Sequence, residues 1–219
     1  MKVEIWSDYV CPFCYMGLKK FEEALDGFAH KGEVEVLYRS YELAPDLAKD
    51  GAHPVAEMLM EKYRLNETQA RENLANITAQ AATLGLDIHF EKALTCNTYD
   101  AHRLAHLAEA EGRLPFLHDL LFQAHFSRGI NLSDRESLLQ LALEAGLEEE
   151  TARDLLESER YGDDVRLEEL QANNIGVRGV PFFLFDDRLA VSGAQQPEAF
   201  LEALEKTRDL ALKEKRNDA

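Results

Sequence analysis

Lys2-Val3-Glu4-Ile5-Trp6-Ser7-Asp8-Tyr9-Val10-Cys11-Pro12-Phe13-Cys14 is the stretch on which the reading of this chain turns. Lys2 to Trp6 has a strand pattern, and past Cys14 the residues Phe21, Ala24, Leu25 and Phe28 recur at i, i+3, i+4 and i+7, the spacing of a helix face. A Cys-x-x-Cys pair at that junction puts the Cys11 sulfur at a helix N-terminus. Unpaired N–H groups and the positive end of the helix dipole favour a thiolate there. The thiolate is the form of cysteine that attacks disulfides. Pro12 fits the same geometry, because the first helical position needs no N–H. The pattern predicts a dithiol redox site.

The 219 residues are enough to bury a full core, and 46% hydrophobic content is ordinary for a globular protein. A net charge of −17 disfavours sequence-independent nucleic-acid binding and docking on anionic membranes. No run of about 18 apolar residues reads as a membrane span. Met1-Lys2 leads straight into the first strand pattern, which leaves no room for a cleavable signal, so the expected compartment is the cytoplasm. With three cysteines, two of them in one Cys-x-x-Cys, a structural disulfide framework is not expected.

Working outward, Val34, Val36 and Tyr38 alternate with Glu35, Leu37 and Arg39 as a second strand. From about 54 to 175 the period is helical, with stripes at Leu117, Leu120, Leu121 and Ala124 and at Leu138, Leu141, Ala142 and Ala145. Ser133-Asp134-Arg135-Glu136 reads as a capping box, Glu148-Glu149-Glu150 as a solvated helix start, and Gly112 and Gly146 as helix stops. Strand character returns at Val180-Pro181-Phe182-Phe183-Leu184-Phe185, too apolar to face solvent on either side. Asp186-Asp187 turns it into Leu189-Ala190-Val191. Gln196-Pro197 opens a last helix with Phe200, Ala203 and Leu204 inward, running into the charged tail Lys213 to Arg216. The order β–α–β, helical segment, β–β–α fits an α/β fold. It is read as a thioredoxin-like core at 1–45 and 176–219 with a large all-helical insertion at 46–175.

Three blocks then resemble one family: Val3-Glu4-Ile5-Trp6-Ser7-Asp8 leading into Cys11-Pro12-Phe13-Cys14; Asn97-Thr98 with Ala101-His102-Arg103-Leu104; and Gly176-Val177-Arg178-Gly179-Val180-Pro181. In this order they are similar to the DsbA-like thioredoxin-fold oxidoreductases, in particular the FrnE-type cytosolic branch. The resemblance implies a thiol–disulfide oxidoreductase or isomerase with Cys11 as nucleophile, Cys14 as resolving thiol and Pro181 cis beside them. It needs no cofactor beyond the Cys11–Cys14 disulfide, with glutathione as a reductant or ligand. The partners implied are disulfide- or thiol-containing proteins or peptides. Val180, Pro181, Phe13, Asn97, Thr98 and His102 are the candidate substrate-binding residues. Phe13 keeps the aromatic character of the FrnE-type motif where secreted DsbA proteins carry His, which implies a milder oxidant.

Other readings compete. Relatives of the same fold, the glutathione-dependent hydroxychromene-carboxylate isomerases, use Ser where Cys11 stands, and the second cysteine argues against their chemistry. A chaperone without redox turnover would keep full function in Cys11→Ser. Cys96, or His102 and His106 at i, i+4, could join the pair around a metal, but the spacing fits neither a finger nor a ribbon and no metal is expected. Asn97 is equally a helix cap. Cys96 is expected to be a buried small apolar residue without a catalytic role.

Overall fold

A four-stranded mixed sheet of order β2-β1-β5-β6 carries the molecule. The computed structural model describes residues 1–49 and 51–217, except the side chains at 215–217. Strand β1 (Lys2–Ser7) leads through helix α1 (Pro12–Gly27) and a short 3-10 turn to β2 (Glu35–Ser40), which lies parallel to β1 in register Val3↔Val36. Between β2 and the last strands come β3 (Ala52–Pro54), α2 (Val55–Tyr63), α3 (Glu67–Ala82), β4 (Leu94–Cys96) and α4 (Tyr99–Ala110). They continue with α5 (Leu114–Phe126), α6 (Arg135–Glu144), α7 (Glu149–Glu157) and α8 (Gly162–Asn174). The hairpin of β5 (Phe182–Phe185) and β6 (Leu189–Ser192) returns antiparallel to β1, and α9 (Pro197–Asn217) closes the chain. Two consecutive residues, Asp186 and Asp187, take φ of 47° and 57° in that hairpin turn, a conformation that aspartate tolerates better than most residues.

Both faces of the sheet are covered, which is why Phe182–Phe185 is apolar throughout. On one face Phe21 of α1 meets Phe183, Phe185 and Phe200, with ring centroids 5.5, 6.3 and 5.8 Å away. On the other, Trp6 packs with Phe182, Ala172 and Val177, and its indole N–H donates to the Glu168 carbonyl of α8 at 3.0 Å. Glu168 then ties α8 to the core. Its carboxylate accepts from Arg39 at 2.9 Å and the Ser40 amide at 2.7 Å, with His106 Nε2 at 3.2 Å. Within the helical segment Arg103, fully buried, plays a similar part. It donates to the carbonyls of Leu155, Ser158 and Arg160 and pairs with Asp100 at 2.7 Å, closing the end of α7.

Two local expectations change. The helical segment also holds a two-stranded ladder, β3 against β4, made of strands of three residues, too short to show a period. The cap of α6 is Asp134, whose carboxylate accepts from Ser137 N at 2.9 Å, and Ser133 bonds instead to Asn131. A carboxylate is favoured at that dipole end. The side chains at 215 and 216 of the charged tail, and residues 50, 218 and 219 of the expected segments, lie outside the described residues. Among the described residues no helix is long and apolar enough to cross a membrane.

Candidate active site

Cys11 is itself the N-cap of α1. Its backbone is extended, Pro12 takes the first helical position, and the Cys14 amide donates to the Cys11 sulfur at 3.3 Å. An N–H of the helix terminus is therefore aimed at that sulfur. The Cys11 thiol in turn donates to the Val180 carbonyl at 3.6 Å. Cys11 is more covered than its place at a helix terminus led one to expect, 4% exposed against 0% for Cys14, and both are free thiols. What separates the two is their surroundings. Burial pushes the Cys14 thiol well above its usual range, and the neighbouring Cys11 sulfur and the Asp8 charge push the same way.

Beneath Cys14 lies Asp8, wholly buried at the end of β1. Its amide donates to the Cys14 sulfur at 3.4 Å, and its Oδ2 accepts from the Leu43 amide at 2.7 Å. His102 of α4 brings Nε2 to 3.5 Å from the other oxygen, Oδ1. Burial alone would lower His102, but Asp8, with Glu42 and Glu169 behind it, outweighs burial and holds the imidazole above its ordinary value.

The Val180–Pro181 peptide is cis, as expected, and the Pro181 carbonyl accepts from the Gly193 amide at 2.8 Å. Gly17 makes the close approach possible. A Cβ there would stand 2.8 Å from Pro181 Cγ, so the helix carrying the cysteines reaches the proline only because residue 17 has no side chain. A glycine inside a helix is disfavoured by about 1 kcal/mol relative to alanine, which makes it a legible signal of close packing that the sequence reading passed over.

The candidate substrate-binding residues separate into two groups. Phe13, 42% exposed, Val180 and Pro181 stand with the thiols, and Leu43, held by its amide to Asp8, adds a further exposed apolar side chain. Asn97, Thr98 and His102, the other residues expected to contact substrate, are buried on and ahead of α4. Asn97 accepts from the Tyr99 amide and donates to the Leu47 carbonyl, serving as an Asx turn ahead of α4, whose N-cap is Thr98. Cys96 is buried on β4, and burial pushes its thiol up to about 12. His106 is engaged with Glu168 and Ser40. Among the described residues no group of three His, Cys, Asp or Glu is placed to hold a metal ion.

A Cys-x-x-Cys at the first helix of this sheet order, with a cis-proline against it, is the mark of the thioredoxin-fold class. Within that class, residues 2–205 match the family model of the DSBA-like thioredoxin domain, and the chain belongs to this family of DsbA-like oxidoreductases. It is similar to a solved structure described as a probable DsbA oxidoreductase, SCO1869 of Streptomyces coelicolor. That match has 43% identity and a TM-score of 0.92 over 95% of this chain and 90% of the other. It is 29% identical to YwbO of Bacillus subtilis (strain 168) over 92% of this chain and 94% of that one. The fold is shared with the cytosolic disulfide reductase DsbM of Pseudomonas aeruginosa, solved with GSH. The TM-score there is 0.62 at 18% identity, over 95% of this chain and 100% of the other.

Proposed function

We propose that the chain is a thiol–disulfide oxidoreductase of the FrnE-type cytosolic branch, with residues 46–175 as a helical insertion that caps a Cys11/Cys14 site. The observation that carries this reading is the asymmetry of the two thiols. One sulfur sits at a helix N-terminus beside the Val180 carbonyl and exposed Phe13, and the other lies behind it, buried and held as a thiol. Cys11, as a thiolate once its proton has passed to water, attacks a substrate disulfide, forming a mixed disulfide and expelling one substrate thiolate, which takes a proton from water in turn. Cys14 then gives up its proton to water as its sulfur attacks Cys11. The Cys11–Cys14 bond forms, the bond to substrate breaks, and the second thiolate leaves. Run backwards, the same steps oxidise a dithiol.

Phe13, Val180 and Leu43 offer an apolar surface beside the Val180 backbone, which suits an extended peptide more than a compact polar ligand. Disulfide-bearing peptides and proteins are the proposed substrates, and glutathione, seen bound in the DsbM structure, the proposed reductant. The test is a glutathione redox titration followed by intact mass. One intramolecular disulfide at Cys11–Cys14, lost in Cys11→Ser and Cys14→Ser together with insulin reduction, supports the reading. Full exchange activity in Cys11→Ser contradicts it.

A further inference from the structure

Lys20 is half-buried on α1, one turn past Gly17 and on the same face of the helix, since residues three apart lie side by side. Its neighbour Lys19 pairs with Glu22 and Asp119 at 3.1 and 3.4 Å. Lys20 makes no ion pair among the described residues, although acidic side chains outnumber basic ones by 41 to 24 in this chain. Its ammonium donates instead to the backbone carbonyl of Ala194 at 3.1 Å, 174 positions away in sequence.

Ala194 belongs to the turn that leads from β6 into α9, and that turn holds Pro181. The Gly193 amide donates to the Pro181 carbonyl at 2.8 Å, with Gly193 at φ 80°. Gln195 closes the turn on itself, its amide donating to the Gly193 carbonyl and its side chain to that of Ser192, both at 2.9 Å. From the other side Gly17 admits both neighbours, because a Cβ there would meet Pro181 Cγ at 2.8 Å and Ala194 Cα at 3.4 Å. Pro181 is thus gripped between α1 and the turn. Among the described residues Lys20 is the only side chain of α1 that hydrogen-bonds the turn, and a bond from an ammonium is stronger than one between neutral groups. Next to Pro181, Val180 presents its carbonyl to the Cys11 thiol at 3.6 Å.

We propose that Lys20 is a positioning residue for the attack on peptide disulfides. By tying the 193–195 turn to the helix that bears Cys11, it fixes the Cys11 sulfur against the Val180 backbone along which an extended substrate lies. This rests on the oxidoreductase reading above. The stretch from Cys11 to Lys20 spans roughly 13 Å of helix, so the ammonium does not itself reach the reacting sulfurs. Without the tie, the turn and Pro181 shift together against α1. A displaced Val180 backbone then carries the substrate disulfide out of line with the attacking sulfur, and such misplacement slows attack. A small disulfide that does not lie along Val180 is spared.

The test compares two disulfides on one nucleophile. Reduced full-length Cys14→Ser protein, which retains its adduct, is mixed with a disulfide-bearing extended peptide or with hydroxyethyl disulfide, quenched in acid and read by intact mass. Adding Lys20→Met keeps the apolar stem and removes the ammonium. It should slow peptide adduct formation on Cys11 at least about fivefold and leave the hydroxyethyl adduct within about twofold. Lys20→Arg, which keeps a cationic donor, should restore the peptide rate to within about twofold. If Lys20→Met proves poorly folded, Lys20→Gln supplies the same comparison. Equal slowing with both disulfides, an unchanged peptide rate, or no recovery in Lys20→Arg overturns the inference alone. Absence of any adduct on Cys11 with either disulfide overturns the oxidoreductase reading and the inference with it.

Discussion

Replacing His125 by Phe should make the protein markedly less acid-sensitive. His125 is fully buried on α5 against Phe126, at a ring-centroid distance of 4.5 Å, and neither of its ring nitrogens has a partner. Burial lowers its imidazole from 6.5 to about 4, the Asp8 charge opposing only in part. The sign follows from proton counting. Below its ordinary value the unfolded imidazole binds a proton that the folded one refuses, so stability falls as pH drops from about 6.5 to about 4. At about pH 4.5 the unfolded group is almost fully protonated and the folded one about a quarter so, which amounts to ~2.5 kcal/mol lost relative to neutral pH. Phe fills a similar volume and cannot titrate, so at about pH 7.5 the variant should match wild type within ~1 kcal/mol. Urea unfolding at both pH values measures the difference. His118 titrates in both proteins and cancels in the comparison. Equal losses of stability in the two proteins between about pH 7.5 and 4.5 would refute the reasoning.

Glu168→Gln should cost ~3 kcal/mol at neutral pH. Burial alone would raise that carboxyl, but the hydrogen bond and charge of His106 and the bonds from Ser40 hold it at about 2, and its contribution fades only as pH falls from 4.5 toward that value. Denaturant midpoints of the two proteins at about pH 7 and 4 read the effect. Gly17→Ala should destabilise by ~1–3 kcal/mol and slow disulfide exchange, since the new methyl must displace the Pro181 ring from 2.8 Å, and thermal melts alongside insulin reduction check both. Cys96→Ala should keep exchange activity within about threefold, and wild-type Cys96 should react with iodoacetamide only after unfolding, given a thiol pushed up to about 12.

The core was legible because its signals are local. Phe21, Ala24 and Phe28 are buried as their spacing implies, Val34, Val36 and Tyr38 pack half-buried against the core, and the run Phe182–Phe185 forms a strand between two covered faces. The junction at Cys11-Pro12 was equally local, because N-cap and first-turn chemistry involve neighbours in the chain. What was not legible depends on partners far away in sequence. Ala52–Pro54 and Leu94–Cys96 form strands only because they meet each other. Helix α4 is buried continuously from Tyr99 to Leu104, so the apolar stripe of Ala101, Leu104, Ala105 and Ala108 does not show that His102 beside it is buried too. A histidine and an aspartate that would each read as surface residues are instead buried together, Asp8 at the end of β1 and His102 on α4. The capping reading missed by one residue for a simpler reason, since Ser133 and Asp134 both make good caps and only the backbone decides between them.

The central claim is that Cys11 attacks and Cys14 resolves, and trapping tests it most directly. Cys14→Ser is incubated with a disulfide-containing peptide, acid-quenched and mapped by mass spectrometry under non-reducing conditions. The site geometry, with the Cys11 sulfur facing Val180 and Cys14 fully buried, predicts a stable peptide adduct on Cys11. Cys11→Ser under the same conditions should give little or none. Adducts found mainly on Cys14 in Cys11→Ser, with Cys11 of the other variant unmodified, would contradict the account.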